Sequence, residues 1–305
     1  MSKASKRKQQ TRPRQMSRWL IVSGIILLGL ALGGWWLYVR NPAQSGNAQP
    51  LSRLSTSDFH SLAFSPTEPD TVFFGHHGGL LVSRDGGRTW QSTALQNADA
   101  MALAAPSANP QVMYAAGHDV FLKSTNAGQT WQPVGTNLPG TDMHGFAVDP
   151  QDANHVFAHV VGSGIFDSQD GGTTWTLLSS AVPDSTFNLA VGETAQTLYA
   201  AASQAGLLRS TDGGRNWSAI TGVPGAGVVA VAHSPANKRL YVTTLGNGAG
   251  LYAFEDGGTH WIPLGLKGTL LAIAVSPRDP NRLIAVSDRG DIYASRDGGL
   301  TWPNK

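Results

Sequence analysis

From residue 51 onward the chain alternates apolar and polar positions in short runs broken by glycine and proline. FHSLAFS (59–65), TVFFG (71–75), GLLVS (79–83) and TWQSTAL (89–95) follow one another in this way, and LYAAA, LLRS, LIAVS and IYAS repeat the pattern further on. A two-residue period over such lengths predicts half-buried β-strands. They group in fours, here lettered A to D. Upstream the pattern changes: Trp19 to Val39, WLIVSGIILLGLALGGWWLYV, is a run of 21 residues without a charge. At ~1.5 Å per residue it spans roughly 30 Å, the hydrocarbon thickness of a bilayer, and it predicts one transmembrane helix with aromatic residues at both ends.

Four parts follow from these patterns: a basic tail over 1–18, the apolar anchor over 19–39, a polar linker over 40–50 and a β domain over 51–305. Seven basic residues precede the anchor and Arg40 follows it. The positive-inside bias therefore places the N-terminus in the cytoplasm and the β domain outside a cell membrane, as a single-pass protein. A cleaved signal peptide is the rival reading, although the apolar run exceeds the usual ~7–15 residues and has no clean small-x-small site at its end.

Six segments within the β domain share one motif: SRDGGRTW, STNAGQTW, SQDGGTTW, STDGGRNW, FEDGGTHW and SRDGGLTW. Their tryptophans, Trp90, Trp131, Trp175, Trp217, Trp261 and Trp302, are spaced 41, 44, 42, 44 and 41 residues apart. A period near forty with four short strands per unit predicts an all-β fold, a six-bladed β-propeller of four-stranded blades. Within each motif the acidic position (Asp85, Asp170, Asp212, Asp256, Asp297, with Asn126 in the second) can accept backbone N–H bonds across a tight turn. The glycines supply positive φ, and the tryptophan packs beneath the hairpin. Six copies at one blade position point to a structural role. Where Asn126 and Ala127 replace Asp and Gly, where Phe254 replaces Ser, and where Asn216 and His260 replace Thr, weaker hairpins are expected. The last blade lacks an outer strand at the C-terminal end, and LSRLST (51–56) is placed to supply it, so that first and last blades join.

The S-x-D-x-G-x-T-W motif resembles the Asp box, or BNR repeat, of sialidases, other glycosidases, sortilin-type receptors and photosystem assembly factors. The chain also resembles membrane-anchored bacterial BNR-repeat proteins that carry a glycosyl hydrolase label. That resemblance implies ligand sites around the channel mouth on the face formed by D–A and B–C loops. It would also imply, for a sialidase, an Arg-Ile-Pro motif and an arginine cluster. Neither is present: Arg84, Arg88, Arg215 and Arg296 lie in Asp boxes, and only Arg289 maps to the ligand face.

Charge and composition narrow the partners. The formal charge is +2, yet residues 1–40 carry eight Lys or Arg and no acid, which leaves 14 basic against 20 acidic residues for the rest. A net-negative β domain without a basic patch is not a nucleic-acid binder, since phosphate neutralisation supplies most of that affinity. With no cysteine, disulfides and thiolate sites are excluded.

Histidines carry the candidate chemistry. His60 and His144 open strand A in blades 1 and 3, and His76, His77, His118 and His159 are expected in B–C loops, so six of the nine crowd one face. Asp99 and Met101 lie at the neighbouring strand-A start. Binding at this mouth is therefore assigned to His60, His76, His77, Asp99, Met101, His118 and His144, with His60, His118 and His144 as metal ligands and Asp99 supporting them. Imidazole suits copper, zinc or nickel, and a thioether from Met101 or Met143 tilts the choice toward copper. Two functions stand. One is a binding or assembly module for a protein or glycan; the other is a glycoside hydrolase working through aspartates among Asp58, Asp99, Asp119, Asp142, Asp184, Asp288 and Asp291. Two carboxyls ~5–10 Å apart in a deep pocket favour the hydrolase, and a His-lined mouth favours binding.

Overall fold

The computed structural model describes residues 48–56, 58–255 and 260–303. The predicted tail, anchor and most of the linker lie outside the described residues, as does Asp256. Among the described residues no helix is long and apolar enough to cross a membrane.

Strands group into six four-stranded antiparallel sheets. Blade 1 consists of Ser61–Phe64, Val72–His76, Gly79–Ser83 and Gln91–Gln96, paired in that order. Blades 2 to 5 repeat this order. Blade 6 departs from it as expected: Leu270–Val275, Leu283–Ser287 and Asp291–Ser295 are completed by Ser52–Arg53 as the outer strand. The first strand of the domain thus closes the last blade. It also reaches blade 1, because the Ser52 hydroxyl donates to the Gly87 carbonyl at 2.5 Å and accepts the Trp90 indole N–H at 3.2 Å.

The core is divided among the six seams between neighbouring blades. Tyr114, Phe121, Phe146 and Val156 fill the seam between blades 2 and 3, and Leu62, Phe74, Ile284 and Val286 fill that between blades 1 and 6. Each sheet is therefore buried on both faces. That is why the B strands, such as Leu198–Ala202, are apolar without alternation and fully buried.

Asp boxes brace the outer hairpins as anticipated. In the first, Ser83 Oγ donates to Asp85 Oδ1 at 2.7 Å and accepts from Gly87 N at 2.8 Å. Asp85 accepts from the N–H groups of Arg88 and Thr89 and from the Thr89 hydroxyl at 2.6 Å. Asn216 and Asn126 keep this pattern in another form. The Asn216 amide donates to Asp212 at 2.6 Å, and the Asn126 amide donates to the Thr130 hydroxyl at 2.8 Å. The second box still differs from the first: Ala127 takes the left-handed conformation (φ 55°) that glycine fills elsewhere, and the buried Trp131 indole nitrogen has no partner.

These bonds depress the carboxylates. At Asp85 burial acts upward, but the bonds from Thr89, Ser83 and Arg88 outweigh it and bring the pKa down to about 2. At Asp212 the backbone N–H and side-chain amide of Asn216 lead, followed by Ser210, with the same result of about 2. Asp170 is lowered too, first by the Thr174 hydroxyl. A carboxyl whose folded pKa lies below its unfolded value stabilises the fold above the ordinary range near ~4 and loses that contribution as pH falls toward 2. The melting temperature should hold steady from pH 7 to 5 and drop steeply below pH 4; a flat profile from pH 5 to 2 would exclude this role for the boxes.

Candidate functional site at the channel mouth

One residue per blade occupies an equivalent position at the start of strand A, just before it in blades 1 and 2 and within its first residues in blades 3 to 6: His60, Met101, His144, Phe187, Val229 and Leu271. In blades 3 to 6 a break in register falls at this residue, between Met143 and Gly145, Thr186 and Asn188, Val228 and Ala230, and Leu270 and Ala272. Such bulges re-aim a side chain. Here the six-fold position forms the channel mouth, where His60, Met101, Phe187, Val229 and Leu271 line a cavity of about 450 Å³. The rim is divided in character. Blades 4 to 6 contribute Phe187, Val229 and Leu271, and Phe187 is 41% exposed.

Blades 1 to 3 contribute a continuous band of imidazoles and carboxylates. Asp58, Asp99 and Asp142 each lie two residues before the rim residue of their blade, and His77 and His118 come from the B–C loops. His60 Nε2 is 3.0 Å from His77 Nε2, and His77 Nε2 is 3.6 Å from Asp99 Oδ2. His118 Nδ1 is 2.6 Å from the same Asp99 oxygen. His118 Nε2, His144 Nε2 and Asp142 Oδ1 then form a triangle with sides of 3.0, 3.0 and 3.1 Å. Asp58 holds the other end of the band, accepting the His77 backbone N–H at 2.8 Å with its Nδ1 at 3.2 Å. The stack continues into the apolar half, where the His144 and Phe187 rings lie parallel with centroids 5.7 Å apart. Burial pushes His144 below the usual imidazole range, with Asp142 opposing and His118 adding to the shift. His60 is lowered in the same way, by burial first and by His77 second.

The assigned residues therefore converge in part. His60, His118 and His144 do not share one centre: His60 groups with Asp58 and His77, whereas His118 and His144 group with Asp142. His76 ends strand B and accepts the Gly78 N–H at Nδ1, and Met101 is at the cavity wall. Two expectations change. His159 is not in a loop but inside the strand Asp152–Val160 and fully buried. Met143 is fully buried in the seam between blades 2 and 3, so its thioether does not reach the mouth. Asp58 and Asp142 belong to the His groups. Asp184 and Asp119 behave as loop caps, accepting from Gly162 N and the Thr141 hydroxyl, and Asp291 pairs with Arg53 at 2.6 Å.

The sequence pattern of the family described as photosynthesis system II assembly factor YCF48 matches residues 49–176 and again 146–305, and so covers every blade. The chain belongs to this family. Among solved structures it is similar to YCF48 from Cyanidioschyzon merolae, with 21% identity and a TM-score of 0.51 over 84% of this chain and 87% of that one. It is also similar to the GH74 enzyme of Niastella koreensis, with 22% identity and a TM-score of 0.60 over 84% of this chain. A chain of a nidogen/laminin complex matches with 13% identity and a TM-score of 0.62, covering 76% of this chain and 91% of that one. The chain spans 46% of the length of the GH74 enzyme, and at these identities the likenesses concern the fold. No curated protein matches the chain.

Proposed function

We propose that the chain is a non-catalytic binding or assembly module, held at the outer surface of a cell membrane by the apolar segment 19–39, that takes a protein ligand at the divided channel mouth. The division is the observation that carries this reading. A cavity of about 450 Å³ whose wall runs from the apolar Phe187, Val229 and Leu271 to His60, Asp58 and Asp288, beside the band of imidazoles and carboxylates, suits a peptide segment that places an apolar side chain against Phe187, Val229 and Leu271. Its polar groups would then meet blades 1 to 3. A glycoside hydrolase is the weaker reading, since Asp58, Asp99 and Asp142 are each engaged by histidine. Membership of an assembly-factor family agrees with a binding role.

The test pairs binding with turnover. Peptides tiled over the extracytoplasmic segments of the host's membrane proteins should include some that bind the full-length chain, and Phe187→Asp should weaken them 10- to 100-fold, roughly the ~1.5–3 kcal/mol of one buried aromatic contact. Phe187 is exposed, so the variant keeps the fold. Hydrolysis of a glycoside that depends on Asp58 or Asp142, or peptide binding indifferent to Phe187→Asp, would reject the reading.

A further inference from the structure

We propose that His118, His144 and Asp142 form a binding site for one divalent transition-metal ion, zinc in the first instance, with Asp99 as the residue that positions His118. The inference concerns metal alone and does not depend on the identity of the ligand above.

Geometry comes first. Metal–nitrogen bonds to histidine are about 2.0–2.1 Å, so three donors around one ion lie roughly 3.0–3.4 Å apart. The three atoms here are separated by 3.0, 3.0 and 3.1 Å. An ion bonded equally to all three would stand roughly 1 Å above their plane, at the apex of a tripod. His118 and Asp142 are 43% and 49% exposed at their side chains, which leaves the remaining coordination positions open to solvent or to a bound partner.

Proton accounting points the same way. With His118 neutral, its Nδ1–H donates to Asp99, so its Nε2 presents a bare lone pair. That lone pair faces a carboxylate oxygen and a second imidazole nitrogen, and His144 has at most one hydrogen to offer between them. In that protonation state three electron-rich atoms enclose one position, which a cation would fill. A carboxylate on the far nitrogen of a ligating histidine is also the usual arrangement that fixes the ring and raises its basicity. Donor type settles the metal class. Two imidazoles and one carboxylate with no sulfur favour zinc, cobalt(II), nickel or copper(II) over copper(I), the ion a thioether would have suggested.

Calorimetric titration of the metal-stripped full-length chain with zinc, and spectroscopic titration with cobalt(II), test the site. The wild-type chain should take up zinc, and cobalt(II) should give visible ligand-field bands that zinc abolishes. His118→Ala and His144→Ala should each lose one equivalent of zinc, while His155→Ala on the opposite face changes nothing. Asp99→Ala should keep the stoichiometry, weaken affinity 10- to 100-fold and shift the cobalt bands, a signature that a merely structural role would not give. Asp142→Asn, at an exposed position, serves if an alanine variant fails to fold, and it too should lose the equivalent. Absence of zinc binding by the wild-type chain, or unchanged stoichiometry in the His118→Ala/His144→Ala double variant, overturns the proposal.

Discussion

A chain shortened to begin at residue 56 should melt about 10 °C below one that begins at residue 48, and it should aggregate on heating. The segment removed carries the outer strand of blade 6, whose Leu51 and Leu54 N–H groups donate to Ile292 and Gly290 at 2.7 and 2.9 Å. Leu54 is buried in the seam between blades 1 and 6. Burying that side chain is worth about 2–3 kcal/mol and each backbone bond about 1 kcal/mol. The Arg53–Asp291 pair adds little, because the arginine is 64% exposed. A loss of roughly 4 kcal/mol in a domain of this size lowers the melting temperature by roughly 2–4 °C per kcal/mol. Strand Asp291–Ser295 would then present unpaired N–H and C=O groups at an open edge, a template for other chains. Equal melting of the two chains would show that Ser52–Arg53 is dispensable for closure, and Leu54→Ala, expected to cost about 2–5 kcal/mol, gives an independent reading.

Gly117→Ala should be comparably damaging and should act on the mouth itself. A Cβ at Gly117 would stand 1.9 Å from the Asp99 carbonyl oxygen and 3.0 Å from the Met101 backbone nitrogen. Both contacts are backbone, so the loop carrying Asp99 must move away from the strand that leads into His118. The structure has no room to absorb this, and overpacking of that kind costs typically 1–3 kcal/mol and occasionally more. The expected result is a melting temperature lower by about 5–10 °C, together with weakened zinc binding as Asp99 leaves His118. Gly135→Ala, with nothing within 4 Å of the added carbon, is the control. Wild-type melting and wild-type zinc affinity in Gly117→Ala would contradict the close approach.

The fold was legible because its signals repeat: six tryptophans at a near-constant interval and a serine, acid, glycine turn in each unit leave little choice of architecture. Closure by LSRLST was legible for the same reason, since five complete units show what the sixth lacks. The mouth was only partly so. Crowding of histidines on one face could be read from loop positions, but which imidazole meets which carboxylate depends on the bulges in the A strands and on the close approach at Gly117. Neither is a property of one segment. Asp142 shows what the pattern did hold: in Asp142-Met143-His144 the two-residue period puts aspartate and histidine on one side and methionine on the other. Applied there, it places Asp142 beside His144 and sends Met143 into the seam. His159 was missed because a polar residue near a strand end looks like a loop residue until the pairing is known, and here it pairs with Gly145, whose missing side chain makes room for it.

The bond between Arg53 and Asp291 joins residues 238 positions apart. During synthesis at ~5–20 residues per second, roughly 10 to 50 s pass between the appearance of one partner and the other. For that interval blade 1 has its own four strands but no neighbour on one side, and Leu62, Phe74 and Leu54 have only half of their seam. The nascent domain is thus an open arc with an apolar flank, and it becomes a ring only when the last blade arrives. Pairing of such long sequence separation is slow, since loop closure must precede any reward from contact. Folding of this chain should therefore be limited by the meeting of its two ends, and the arc is the species that a chaperone would encounter.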